Sequence, residues 1–438
     1  MTDVRTIAYE ALLDTENSDS GLSGTKAVLD KYSYLEKNDR GFIKLLIEGT
    51  IERRITIDYV LDLYSKVPVS KMKKQIRTLL RMGTYQILYT DVADFAVVNE
   101  TVRIAKKKGF ASLSGFVNGV LRSILRSRDM IIWPDKNDDI VKYLSVTYSC
   151  PEWIVRKLYD EQGAENAESI LKLSISTRPV TARVNLSKTT VKDVAKRSKG
   201  VISDVCDCAI ILGDYDTIPD IPAFADGSIC IQDISSMLVG IVSGIKDGDT
   251  VLDICAAPGG KSLHAADMAG SGKVIALDVS EKKVEKIREN IRRCGFMNID
   301  TEVSDATVYN NKFESIADVV IADVPCSGIG VMGRKNDSKY NISEQSVEEL
   351  VILQRMILTN AVRYAKPGGT LIFSTCTCSY EENQGNMRYL TEEFGLVPVG
   401  FYDLLPEKLR DESAKEGYIQ LYGKDGLTDG FFIGKLAK

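Results

Sequence analysis

The sequence predicts three modules. An all-helical module covers residues 1–135, a small α+β linker module covers 136–235, and a C-terminal α/β module over 236–438 carries a doubly wound, mostly parallel sheet of Rossmann-like type. Three observations predict this. Apolar residues recur at helical spacing through the first module, with little β-branched alternation. Short β-rich runs then mix with helical ones, and beyond residue 236 near-continuous apolar strands alternate with helical segments.

In the first module Ile76, Leu79, Leu80, Ile87 and Leu88 share one helix face. Val98, Val102, Ile104 and Ala105 share a second, and Phe116, Val117, Val120, Leu121, Ile124 and Leu125 a third. Trp133-Pro134-Asp135 ends the bundle, because proline cannot continue a helix and restricts the residue before it. In the middle module the pattern predicts helices over 152–159 and 164–173 and short strands over 180–185, 201–205, 209–212 and 229–232. In the last it predicts strands over 250–254, 273–278, 318–323 and 370–375, with helices over 261–268, 282–294 and 347–364 between them.

Composition narrows the function classes. The chain has 438 residues, 44% of them hydrophobic and 27% charged, which is an ordinary globular balance. No uncharged apolar run reaches the roughly 18 residues of a membrane span, and the N-terminus lacks a secretory layout. The expectation is a cytoplasmic protein with reduced thiols, no membrane partner and a monomeric state. His264 is the only histidine, which argues against Ser-His-Asp hydrolysis and histidine metal sites. Net charge is −5, yet residues 52–128 hold 15 Lys/Arg against 6 Asp/Glu, and the rest of the chain is strongly acidic. Such asymmetry fits one module that meets a polyanion and another that does chemistry; solvated helix faces are the competing reading for Lys71, Lys73, Lys74 and Lys106–Lys108.

Four motifs carry the chemistry. The run Val251-Leu252-Asp253-Ile254 leads into Cys255-Ala256-Ala257-Pro258-Gly259-Gly260-Lys261, a small-residue turn that opens a helix, where backbone can approach a ligand and free N–H groups face it. It lacks the spacing of a dinucleotide or phosphate loop. Asp278 ends the next strand, where an acid commonly accepts from ribose hydroxyls, and Asp305 follows the one after, in reach of an adenine amine; helix capping competes for each. Asp323-Val324-Pro325-Cys326-Ser327-Gly328 and Ser374-Thr375-Cys376-Thr377-Cys378-Ser379-Tyr380-Glu381-Glu382-Asn383 each place a cysteine just past a strand end, where this architecture puts its ligand crevice. The other cysteines, Cys150, Cys206, Cys208, Cys230 and Cys294, read as small buried hydrophobes, and no spacing completes a metal site. Helix capping is the first reading for Glu381 and Glu382, and helix packing for His264.

Taken together, CAAPGGK, the acid after the second strand, DxPCSG and STCTxSxEEN resemble the RNA cytosine-5 methyltransferases that use S-adenosylmethionine (SAM). Asn99-Glu100-Thr101-Val102 with Phe116-Val117-Asn118-Gly119-Val120-Leu121 is similar to the RNA-binding fold of the antitermination factor NusB. Arg183-Val184-Asn185, Gln232-Asp233-Ile234-Ser235-Ser236 and Asp429-Gly430-Phe431-Phe432 resemble further family motifs. A NusB-like domain fused to this catalytic domain resembles the bacterial 16S rRNA methyltransferase B family (RsmB/Sun/Fmu), over essentially the whole chain.

The resemblance implies a class I methyltransferase domain, SAM as co-substrate and 16S rRNA as partner. It makes Cys376 the nucleophile, Cys326 the group assisting elimination and product release, Asp323 the holder of the cytosine edge, and Lys261 a residue that supports the site electrostatically or positions the base. Cys255, Ala256, Ala257, Pro258, Gly259, Gly260, Lys261, Asp278, Asp305 and Asp323 would line the SAM pocket. Cys378 departs from the family pattern and adds an oxidisable thiol beside the nucleophile. The DNA cytosine-5 enzymes, which attack with the cysteine of Pro-Cys, would instead make Cys326 the nucleophile. Arg334, Lys335 and Lys339 are candidates for RNA backbone contact. The alternatives are the same chemistry on tRNA or another rRNA, a non-catalytic RNA-binding factor, and a Cys376–Cys378 redox couple.

Overall fold

The computed structural model describes residues 3–15, 23–213, 215, 217–334, 337–424 and 426–438. By packing, Met1–Asp160 with Met332–Asn341 form one compact unit, and Glu161–Val331 with Ile342–Lys438 form another.

The first unit is helical. Its helices include Lys37–Glu52, Arg54–Tyr64, Lys74–Tyr89, Asp94–Lys107 and Ser114–Ser127, and it takes in Ile140–Tyr148 beyond the Trp133–Asp135 break. The predicted faces converge: Ile76, Leu79, Leu80, Val98, Ile104, Ala105, Val117 and Leu121 are all buried in one core. Gly49 allows the closest crossing, since a Cβ there would stand 2.0 Å from the Tyr85 ring. Asp139 caps Ile140–Tyr148 by accepting from the Lys142 N–H. Among the described residues no helix is long and apolar enough to cross a membrane.

The segment 338–341 belongs to this helical unit, which corrects one expectation. Lys339 is fully buried, donates to the Glu52 carbonyl at 3.0 Å and is held by burial at a pKa of about 8. It is therefore no surface cation for an RNA backbone. The Tyr340 ring beside it lies under the Arg54 guanidinium, 3.7 Å from its centroid. Arg334 is exposed, and Lys335 lies outside the described residues.

The second unit holds two sheets. The smaller contains β1 (Thr181–Val184), β2 (Val201–Ile202), β3 (Ala209–Ile211) and β4 (Ile229–Ile231) in the order β2-β3-β1-β4, all antiparallel. The larger contains β5 (Thr250–Asp253), β6 (Lys273–Asp278), β7 (Ile299–Val303), β8 (Ala317–Asp323), β9 (Ala365–Thr375), β10 (Val397–Pro398), β11 (Tyr418–Tyr422) and β12 (Gly430–Ala437). Its order is β10-β12-β9-β8-β5-β6-β7, with β11 on β12. β5 to β9 are mutually parallel, and β12 runs antiparallel to β9. Strand order reverses at β5, between β6 and β8, so the crevice for a ligand opens at the carboxyl ends of β5 and β8. Because β12 runs the other way, its first residues arrive at that same edge.

β9 starts at Ala365, earlier than the apolar run predicts. Lys366-Pro367-Gly368-Gly369 form a bulge within the strand: Ala317 pairs Ala365 while Val319 pairs Thr370, and Gly368 takes φ +77°. The predicted helix pair at 152–173 is one run broken at Gly163, with φ +76°.

Candidate active site

The turn after β5 is built for close approach. Gly259 takes φ +104°, and a Cβ there would press on Ile287 at 3.2 Å. It precedes the helix Gly260–Ala269, whose first turn receives no side-chain cap. Uncapped N-terminal amides suit a carboxylate or other anion. At the end of β6, Asp278 accepts from the N–H groups of Ala257 (3.0 Å) and Val279 (2.8 Å), which ties the turn to the next strand. Each oxygen keeps lone-pair capacity for a hydroxyl donor. Asp305, past β7, is exposed and accepts from Thr307 in a local turn. Cys255 is partly buried, and burial raises its thiol pKa. The residues present thus fit a nucleoside cofactor that carries a carboxylate.

At the end of β8, Asp323 is gripped on both oxygens: Lys261 Nζ lies 2.7 Å from Oδ2 and Ser374 Oγ donates to Oδ1 at 2.7 Å. Lys261 also sits 5.4 Å from the centroid of the Phe431 ring, supplied by the start of β12. Gly430, just before it, runs so close to Gly330 that a Cβ would meet the Gly330 backbone at 2.7 Å. This gives the Asp429-Gly430-Phe431 motif a physical role: it brings an aromatic face to Lys261. Below, Asp253 is fully buried and accepts from Ser262 Oγ at 2.6 Å; burial pushes its carboxyl from 3.8 up to about 7.

The two cysteines converge. Cys326 Sγ and Cys376 Sγ stand 2.9 Å apart, and the Cys376 N–H donates to Cys326 Sγ at 3.2 Å. Both are partly buried. The hydrogen bond with Cys376, followed by burial, raises the Cys326 thiol well above its ordinary value. Cys378 is different: it is completely buried, takes a bond from Gln420 Nε2 at 3.3 Å, and burial raises its pKa. It packs behind the loop rather than facing the crevice with its neighbour.

The cap expectation for Glu382 does not hold. The helix Gln384–Phe394 has Asn383 at its N-cap and no side-chain cap bond. Glu382 is wholly buried and accepts from Ser327 N–H (2.9 Å), Ser327 Oγ (2.6 Å) and Gln354 Nε2 (2.9 Å). His264 behaves as expected, packed in its helix against Gly240, with burial holding its pKa well down. The linker motifs are braces: Arg183 Nε donates to Gln232 Oε1 at 3.1 Å and Nη1 to Asp267 at 3.4 Å.

Comparison with known proteins gives this site its family. Residues 241–437 match the model described as 16S rRNA methyltransferase RsmB/F, and residues 2–126 match the NusB family. The chain is 35% identical over 449 residues to a probable ribosomal RNA small subunit methyltransferase B of Bacillus subtilis, covering 100% of this chain and 99% of that one. The chain belongs to the ribosomal RNA small subunit methyltransferase B family. Its fold is that of PH0851 (TM-score 0.79, 24% identity, 100% and 99% of the two chains). NSun6 from Pyrococcus horikoshii, in a structure with SFG, shares it over 66% of this chain and 98% of its own, with TM-score 0.56 and 21% identity.

Proposed function

We propose that the protein transfers a methyl group from SAM to C5 of a cytosine in 16S rRNA, through a covalent bond between Cys376 and C6 of that base. The observation that carries this reading is the pair of sulfurs at 2.9 Å beside the Lys261–Asp323 pair, at the carboxyl edge of a parallel sheet. The family of the chain supports it. SFG, the ligand of NSun6, is a SAM analogue, and the turn at 255–261 with Asp278 and Asp305 suits the same class of ligand here.

C5 of cytosine is a poor nucleophile. Addition of the Cys376 thiolate at C6 consumes the C5–C6 double bond, ends the ring's aromaticity and makes C5 carbanion-like, able to attack a methyl sulfonium. SAM supplies that methyl. Asp323, an acceptor on a fixed mount, suits the exocyclic N4 amine of cytosine, and Lys261 balances its charge. After transfer, the C5 proton goes to a base, the C5–C6 double bond re-forms and Cys376 leaves as thiolate. Cys326 holds a proton next to the departing sulfur and assists that elimination. A stacked base is out of reach of such a pocket, so the target is unpaired or flipped. The basic helical module supplies phosphate contacts.

The test is bisulfite sequencing of 16S rRNA from cells lacking the protein. The expected result is loss of one 5-methylcytosine, at position 967 if the family's site holds, restored by the wild-type chain and not by Cys376→Ala. Unchanged 16S methylation overturns the substrate.

A further inference from the structure

Glu382 is an unusual residue to bury. A carboxylate with no exposure and no Lys or Arg partner among the described residues carries a large desolvation cost, tolerated only where donors replace water. All its donors belong to one structure. Ser327 follows Cys326 directly. Gln354 Nε2, the third donor, also donates to the Pro325 carbonyl at 2.9 Å, on the other side of Cys326. Gln354 is itself fixed, because its Oε1 accepts from Asn386 Nδ2 at 2.8 Å. Ser327 Oγ further meets Thr377 Oγ1 at 2.7 Å, and Thr377 follows Cys376. The backbone on both sides of Cys326 is thus tied to Glu382, directly at Ser327 and through Gln354 at Pro325, and Ser327 also reaches the loop that carries Cys376.

Packing alone does not require this. A glutamine would fill the volume and keep an acceptor for these donors without an acidic group. The charge matters to its neighbours: an anion close to Cys326 opposes a second negative charge there. It therefore adds to the effects that favour the protonated form of Cys326.

We propose that Glu382 is the positioning residue of Cys326: it fixes the Pro325–Ser327 loop so that Cys326 faces the Cys376 sulfur, and so controls release of the methylated base. This rests on the release role given to Cys326 above. Glu382 touches no substrate and acts through the loop.

The experiment uses the full chain with SAM and a 16S rRNA transcript, and compares wild type, Cys326→Ala, Glu382→Gln and Ser327→Ala on a denaturing gel. Glu382→Gln is expected to accumulate a covalent protein–RNA band that disappears when Cys376→Ala is added. Its kcat should fall by up to about 100-fold with a smaller change in KM, as for a reacting group moved by an ångström. In the Cys326→Ala background Glu382→Gln should change the band by less than twofold. A purely structural role would lower SAM binding and the amount of folded protein without trapping an adduct. If Glu382→Gln does not fold, Ser327→Ala, which removes a single donor, must trap the same adduct to a smaller extent. An adduct for Cys326→Ala with none for either loop variant overturns the role of Glu382 alone. No adduct for any of them overturns the release reading and this inference together.

Discussion

Lys261 Nζ stands 2.7 Å from Asp323 Oδ2, and both side chains are reached from different strand ends, one by the helix after β5 and the other by β8 itself. The pair is partly shielded, with Lys261 at 11% and Asp323 at 33% exposure. It gives the crevice a fixed acceptor with a neutralising cation behind it. Lys261→Met keeps the aliphatic stem and removes the charge. It is expected to lower kcat by about 100-fold, the scale for loss of one preorganised electrostatic group, with SAM affinity changed much less. Single-turnover methyl transfer and SAM titration separate the two. A kcat within twofold of wild type would mean that the pair serves folding only.

Asp253 makes stability depend on pH in a defined direction. Burial lifts its pKa from 3.8 to about 7, so the native state holds that proton more tightly than the unfolded chain does. The contribution is fully present below 3.8 and is lost as pH rises through about 7. Asp253→Asn keeps the shape and removes the titration. The difference in unfolding midpoint between wild type and variant should therefore move in favour of the variant between pH 4 and 7 and stay constant above. Parallel curves across that range would show that Asp253 does not titrate there.

Lys106 and Lys107 end the helix Asp94–Lys107 and are exposed. Cations at a helix C-terminus are favourable in themselves, by a few tenths of a kcal/mol. If they also neutralise RNA phosphates, the double variant Lys106→Ala/Lys107→Ala weakens binding and lowers the slope of log K against log salt by about 0.7 to 0.9 for each phosphate no longer neutralised. Filter binding at several salt concentrations measures it. A weaker complex with an unchanged slope would assign the two lysines to helix stability.

What the sequence reveals follows from how local each signal is. Strands β5, β6 and β8 are legible because buried parallel strands are continuously apolar, and their ends mark Asp253, Asp278 and Asp323 directly. The convergence of Cys326 and Cys376 is legible because both follow neighbouring parallel strands, paired at Asp323 and Ser374. Glu382 is not: an acid two residues before a helix looks like a cap, and its donors lie 55 and 28 positions away. Lys339 is not either, since a lysine in a polar loop is ordinarily solvated; here the Glu52 carbonyl receives it. Phe431 sits in a motif visible in the sequence, yet its role depends on β12 running antiparallel into the site. The signal for Glu382 is its place in the same short motif as Cys376, just before a helix.

The central claim is that Cys376 attacks while Cys326 releases. Mass spectrometry of the peptide–nucleotide adduct trapped with Cys326→Ala, SAM and 16S rRNA tests it most directly. The account predicts a methylated cytidine attached to Cys376. A nucleotide on Cys378, or an active Cys376→Ala enzyme that traps on Cys326, would contradict it.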